Sequence, residues 1–151
     1  MVRRLLTVVA ACAALTMRAH AGDHGTPAEA KAMLEKAVAH YKAAGRTAAL
    51  ANFTGKKAGF GDRDLYVFCI GPDRVLVANG GYPTFVGMSA DVLKDADGRL
   101  LGKALWDAGA HEGGGSVEYP HINPVSHKPE LKVSFVEKMG DDVCGVGAYK
   151  G

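Results

Sequence analysis

Leu65-Tyr66-Val67-Phe68-Cys69-Ile70 is the stretch on which the fold turns. Six apolar or aromatic residues in succession are too few for a good helix. They are also too continuous for a strand with one face in water, so they predict a strand covered on both sides. Gly71-Pro72-Asp73 supplies a turn, and Val75 to Asn79 returns as the second strand of a hairpin. A sheet covered on both faces needs helices nearby. Upstream, Thr26 can cap a helix, with Pro27 at its first position and Glu29 completing a capping box. Ala30, Met33, Leu34, Ala37, Val38 and Tyr41 form its apolar stripe, and Gly45 offers the stop. A short helical segment, Thr47 to Asn52, follows.

Downstream, Asn79-Gly80-Gly81-Tyr82-Pro83 breaks regularity. Asp95-Ala96-Asp97-Gly98 then predicts a turn and cap for a helix from Arg99 to Ala110, buried through Leu101, Ala104, Leu105 and Ala108. After Gly113-Gly114-Gly115, three more strands are legible at Ser116–Tyr119, Leu131–Lys138 and Val143–Tyr149. The expected class is α+β: a five-stranded antiparallel sheet, a long N-terminal helix, and helices inserted between the second and third strands.

The first twenty-one residues have the pattern of a secretory signal. Arg3 and Arg4 precede an apolar run from Leu5 to Leu15, and Ala19-His20-Ala21 fits a cleavage site, so the expected mature chain begins at Gly22. Cys12 after Val9-Ala10-Ala11 offers lipid attachment as a second-ranked reading. Cleavage leaves 130 of the 151 residues, enough for one domain. Loss of Arg3, Arg4 and Arg18 leaves fifteen basic against sixteen acidic residues, a net charge of −1, so a nucleic-acid role loses its electrostatic basis. No later stretch approaches the roughly 20 apolar residues of a membrane helix. Cys69 and Cys144 remain, an even number for an oxidising compartment, and predict a disulfide, the plainer alternative being two reduced, buried cysteines that fill space.

Three segments, Asp62-Arg63-Asp64-Leu65-Tyr66-Val67-Phe68, Leu93-Lys94-Asp95-Ala96-Asp97-Gly98-Arg99 and Glu118-Tyr119-Pro120-His121-Ile122-Asn123-Pro124, occur in an order that resembles the single-Cache (type 2) family of extracytoplasmic sensor domains. Lys132-Val133-Ser134-Phe135-Val136 and Gly145-Val146-Gly147-Ala148-Tyr149 extend the resemblance over nearly all of the expected mature chain. It implies a PAS-like fold with a small-molecule pocket between the sheet and the segments crossing it. Ser116 stands where many relatives carry tryptophan, and His121 where an aromatic is common, so the pocket chemistry is expected to differ. Many relatives are fused to a membrane helix and a signalling module. With Gly151 as the last residue, two expectations stand: signalling through a partner such as a membrane-bound sensor protein, or binding alone.

Tyr66, Tyr119, His121, Asn123 and Lys132 lie on or beside predicted strands and are the expected ligand-binding residues, polar groups set in apolar surroundings. Lys132 suits a carboxylate, and Asn123 can donate and accept at once. Taken singly, each has a plainer reading: Tyr119 as core, Asn123-Pro124 as a turn, Lys132 as a solvated charge. Trp106 is a weak candidate, better read as helix packing.

Catalytic residues, metals and cofactors are not expected. Asp95-Ala96-Asp97-Gly98 lacks the third acidic ligand and the distant glutamate of a calcium loop. His111, His121 and His127 match no zinc spacing. His121 and Glu118, three apart in a strand, point to opposite faces and make a poor acid–base pair. The expected function is periplasmic binding of a small organic anion or amino acid. The alternative is a structural or partner-docking domain.

Overall fold

The computed structural model describes residues 22–150; the predicted signal, its cleavage point after Ala21 and Cys12 lie outside them. The first helix, α1 (Pro27–Ala44), begins as its sequence dictates. The Thr26 side chain accepts from the Glu29 backbone N–H, the Glu29 carboxylate accepts from the Thr26 N–H, and Gly45 ends the helix. Helix α2 (Arg46–Thr54) follows directly. A two-residue strand, β1 (Gly61–Asp62), pairs with the start of β2 (Leu65–Ile70). β3 (Leu76–Asn79) completes the hairpin. Two short 3₁₀ turns, Pro83–Phe85 and Ala90–Val92, lead to α3 (Leu101–Ala110). The chain then runs through β4 (Gly115–Ile122), β5 (Pro129–Met139) and β6 (Asp142–Lys150).

The sheet has six antiparallel strands: the five expected and the short β1. Its long strands are ordered β3-β2-β6-β5-β4, so β2 and β6 are central. That position explains why every residue of β2 is buried. Alternation along the strands divides the core in two. Val67, Cys69, Cys144, Val146 and Ala148 face α1 and α2, packing on Ala30, Met33, Leu34, Ala37 and Phe53. Tyr66, Phe68, Ile70, Val136, Val143 and Tyr149 face the other way, toward α3 and the segment before it. Cys69 and Cys144 are directly opposed on β2 and β6 and form the expected disulfide.

Helix α3 departs from expectation at its start. Leu100 is the N-cap residue and makes no side-chain cap. Asp95 instead spends its carboxylate within its own turn, where one oxygen accepts from the Asp97 and Arg99 backbone N–H groups and the other from Arg99 Nε. Asp95-Ala96-Asp97-Gly98 is therefore a self-satisfied turn rather than a helix cap. The packing face also differs in detail. Leu101 and Leu105 are buried as expected, but Gly102 and Gly109 make the closest approaches, while Ala104 and Ala108 are half-buried. A methyl group on Gly109 would fall 2.3 Å from a Val143 methyl, so this glycine lets α3 lie close against β6.

Candidate functional site

The face of the sheet toward α3 carries the polar groups. Tyr119 of β4, Lys132 of β5 and Tyr149 of β6 are direct cross-strand neighbours, so their side chains leave the same face in one row. On β6 the next two residues on that face are glycines. A methyl on Gly147 would meet Lys132 Cε at 2.0 Å and Ser134 Oγ at 2.5 Å, and one on Gly145 would meet Phe68 Cζ at 2.7 Å. The bare backbone of Gly147 thus leaves the space in which the Lys132 side chain lies. Tyr66 comes from β2, and His121 from the end of β4.

A cavity of ≈ 70 Å³ lies against this row. Tyr66, Tyr119, His121 and Lys132 line it together with Asn79 and Lys94, and Phe68, Leu76, Leu101 and Leu105 supply apolar wall. None of its lining residues is acidic.

Lys132 dominates the electrostatics. It is 1 % exposed, which rules out its plainer reading as a solvated charge. Its Nζ donates to Tyr66 Oη at 2.7 Å and sits over the rings of Tyr66 and Tyr149, 4.1 and 4.8 Å from their centroids. Among the described residues it forms no ion pair with a carboxylate. Aromatic faces attract a cation but replace lost hydration poorly. Burial accordingly pulls the Lys132 ammonium down to about 7, only partly opposed by the more distant charge of Asp64.

The hydrogen bonds around Lys132 continue as a relay. Tyr66 Oη lies 3.3 Å from Tyr149 Oη, and Tyr149 Oη donates to the Ile122 carbonyl. Burial raises both phenols, so each remains protonated. Tyr119 Oη bonds Ser134 Oγ at 2.8 Å, and burial raises its phenol as well. His121 Nδ1 stands 3.1 Å from Tyr149 Oη and 2.9 Å from the Ile122 carbonyl. Burial, with the Lys132 charge second, lowers the His121 imidazole to about 4, so it is neutral at ordinary pH. The cavity wall is therefore a set of neutral hydrogen-bonding groups around the buried Lys132, with Lys94 as the second lysine of the lining.

Asn123 is not part of this set. Its side chain is buried in a second cluster, where Nδ2 donates to Asp64 Oδ2 and Glu130 Oε2 and Oδ1 accepts from the Val125 backbone N–H. His24 Nδ1 is 2.7 Å from Asp64 Oδ2, and the Gly25 N–H donates to Asp64 Oδ1. The bond with Asp64 raises the His24 imidazole above its ordinary 6.5. These contacts join the chain entering α1 to the β4–β5 loop and use both Nδ2 protons of Asn123, which does not line the cavity. Trp106 also lies outside the cavity wall, packed under the Arg74 guanidinium at 5.0 Å. Glu118 pairs with Lys150 on the exposed side of the sheet, away from His121.

Tyr149, Asn79 and Lys94 were not expected at the site. Tyr149 carries a usable signal, because alternation from Gly145 through Gly147 places it on one face with two residues too small to fill that face. The other two sit at breaks in regular structure, and no periodicity marks them.

A family model described as "Single Cache domain 2" matches residues 3–149. Among solved structures, a methyl-accepting chemotaxis protein from Vibrio parahaemolyticus RIMD 2210633 is similar with a TM-score of 0.69 and 22 % identity, covering 81 % of this chain and 86 % of that one. A periplasmic sensor domain of a chemotaxis protein gives 0.61 and 24 %, covering 82 % and 90 %. A Cache chemosensory domain, described as showing the structural basis for carboxylic acid recognition, gives 0.62 and 19 %, covering 82 % and 88 %. A search of curated proteins finds no significant match. Among the described residues, no helix is long and apolar enough to cross a membrane.

Proposed function

Because the chain belongs to the single Cache domain 2 family, we propose that it is a sensor domain whose cavity takes a small organic anion, held by its carboxylate at Lys132. The observation that carries this reading is the buried ammonium with one neutral hydrogen-bond partner and no acidic one. A carboxylate entering the cavity supplies the missing counter-charge, and a charge-assisted hydrogen bond formed away from water is a strong one. The tyrosine and histidine groups around it orient the anion and contribute no competing negative charge.

Size and charge narrow the ligand. A cavity of ≈ 70 Å³ is far below the roughly 300–1,000 Å³ of drug-sized sites, so the enclosed part of the ligand is only a few atoms. An amino acid would also bring an ammonium group, and the cavity offers no acid to receive it. A simple carboxylate therefore fits better than an amino acid. The carboxylic acid recognition described for one similar Cache domain supports the same class.

In the proposed setting the chain is exported on residues 1–21, cleaved after Ala21, and acts in the periplasm. Its loaded state is read by a membrane-bound signalling partner, as suits a family whose similar structures include chemotaxis sensor domains. Catalysis has no place in this proposal.

The test is calorimetric titration of the purified protein with acetate, propionate, lactate and alanine, repeated on Lys132→Met. Carboxylate binding that is lost in the variant supports the reading, with alanine weaker than propionate. A carboxylate that binds wild type and variant equally would overturn Lys132 as the anchor. A folded protein that binds none of the four would return the structural or partner-docking role to first place.

A further inference from the structure

We infer that the ligand is an amphiphilic carboxylate, its head in the cavity at Lys132 and an apolar tail in the open groove beside it. This rests on the carboxylate reading above and goes beyond it. The groove measures ≈ 470 Å³, and Tyr82, Phe85, Met88, Val92, Leu93 and Ile122 form its apolar wall. Phe85, Leu93, Lys94 and His121 line both spaces, so the groove continues from the cavity mouth.

Two features assign the groove to an apolar occupant. Met88, Val92 and Ile122 are 40 %, 63 % and 43 % exposed, an apolar surface gathered at the entrance to a buried charge. Grouped apolar exposure of this kind marks a contact surface. Two of the polar groups beside it are already engaged: Tyr82 Oη donates to the Ile122 carbonyl, and the Asp95 carboxylate is held by Arg99 and its own turn. Lys94, shared with the cavity mouth, is the charged side chain of the groove wall that has no hydrogen-bond or ion-pair partner among the described residues, so positive charge stands where the two spaces meet and the rest of the groove offers apolar surface. A cavity this small accepts the carboxylate and the first carbons, and the rest of a longer acid has a continuous apolar path outward.

The experiment is titration of the purified protein with propionate, butyrate, hexanoate and octanoate. From the usual gain on burying a methylene, affinity is expected to rise about two- to fourfold per added CH₂. The octanoate-to-propionate ratio is then at least about thirtyfold, since five methylenes separate them. In a Met88→Gln/Val92→Asn double variant that ratio is expected to collapse toward one. In Lys132→Met the whole series is expected to weaken.

A flat series with retained dependence on Lys132 would overturn the tail assignment and leave the carboxylate reading standing. Octanol binding as tightly as octanoate, unaffected by Lys132→Met, would overturn the carboxylate head. A flat series with a dimer that Val92→Asn disperses on gel filtration would give the groove to a second copy of the chain and refute the inference.

Discussion

Replacing Lys132 with methionine isolates the free-energy cost of keeping an ammonium group inside the cavity wall. Methionine has similar length and no charge, so the wall stays filled. The ammonium falls from its ordinary 10.5 to about 7 on folding. At about 1.4 kcal/mol per pH unit, this corresponds to roughly 5 kcal/mol of destabilisation where both folded and unfolded chains carry the proton. Losing the bond to Tyr66 offsets about 1–3 kcal/mol of the gain. The variant should therefore be more stable than wild type by about 2–4 kcal/mol at a pH near 6.

The pH dependence is the sharper signal. A folded pKa below the unfolded one means that wild type gains stability as pH rises from about 7 toward 10.5, because the unfolded chain binds more protons there. Between pH values of about 6 and 8.5 wild type should recover about 2 kcal/mol, and the advantage of the variant should narrow by the same amount. Urea unfolding followed by circular dichroism, on both proteins at three pH values, measures this difference; contributions of groups remote from Lys132 cancel, and that of His121, whose imidazole the Lys132 charge helps to lower, is confined to the acid end of the range. A variant less stable than wild type at pH 6, or an advantage constant with pH, would refute the assignment of Lys132 as a buried cation without a counter-charge.

Two further perturbations test the frame around it. Gly147→Ala places a methyl 2.0 Å from Lys132 Cε; overpacking should cost about 1–3 kcal/mol and displace the ammonium, so unfolding and propionate titration should both change, and unaltered binding would mean that the lysine is not held where it lies. The Cys69–Cys144 bond links positions 75 residues apart; its removal by a double serine substitution should lower stability by about 2–4 kcal/mol, and two alkylated thiols in the mass spectrum of the unreduced protein would show that the bond does not form.

The elements were legible where local chemistry and burial agree. The capping box at Thr26 and Glu29 set the start of α1, and the unbroken apolar run of β2 announced a central strand. The capping of α3 differs because Asp95 looks like a cap in sequence, yet it lies five positions before the Leu100 N-cap, far enough for the carboxylate to close its own turn first. At the site, the sequence led to Tyr66, Tyr119, His121 and Lys132, which share the cavity, and to Asn123, which does not. Asn123 follows His121 by two and shares its strand-like context. The chain leaves β4 after Ile122, however, and the side chain turns to Asp64 and Glu130 instead.

By itself the sequence determined the order of helices and strands, the two-sided burial of β2, the pairing of its cysteines and the family resemblance, because each depends on neighbours in the chain or on a pattern repeated along it. The environment of Lys132 was decided only by tertiary structure. In Leu131-Lys132-Val133-Ser134-Phe135-Val136 the alternation of apolar and polar residues places the lysine and serine on a water-facing side. The fold lays α3 and the preceding segment over that side, burying Lys132 and Ser134 with Val136. Residues from β2, β4, β5 and β6 surround the ammonium, while the chain around it holds no acid that could pair with it in the cavity. Desolvation depends on everything packed within a few ångströms of a group, and no local pattern in the sequence reports that.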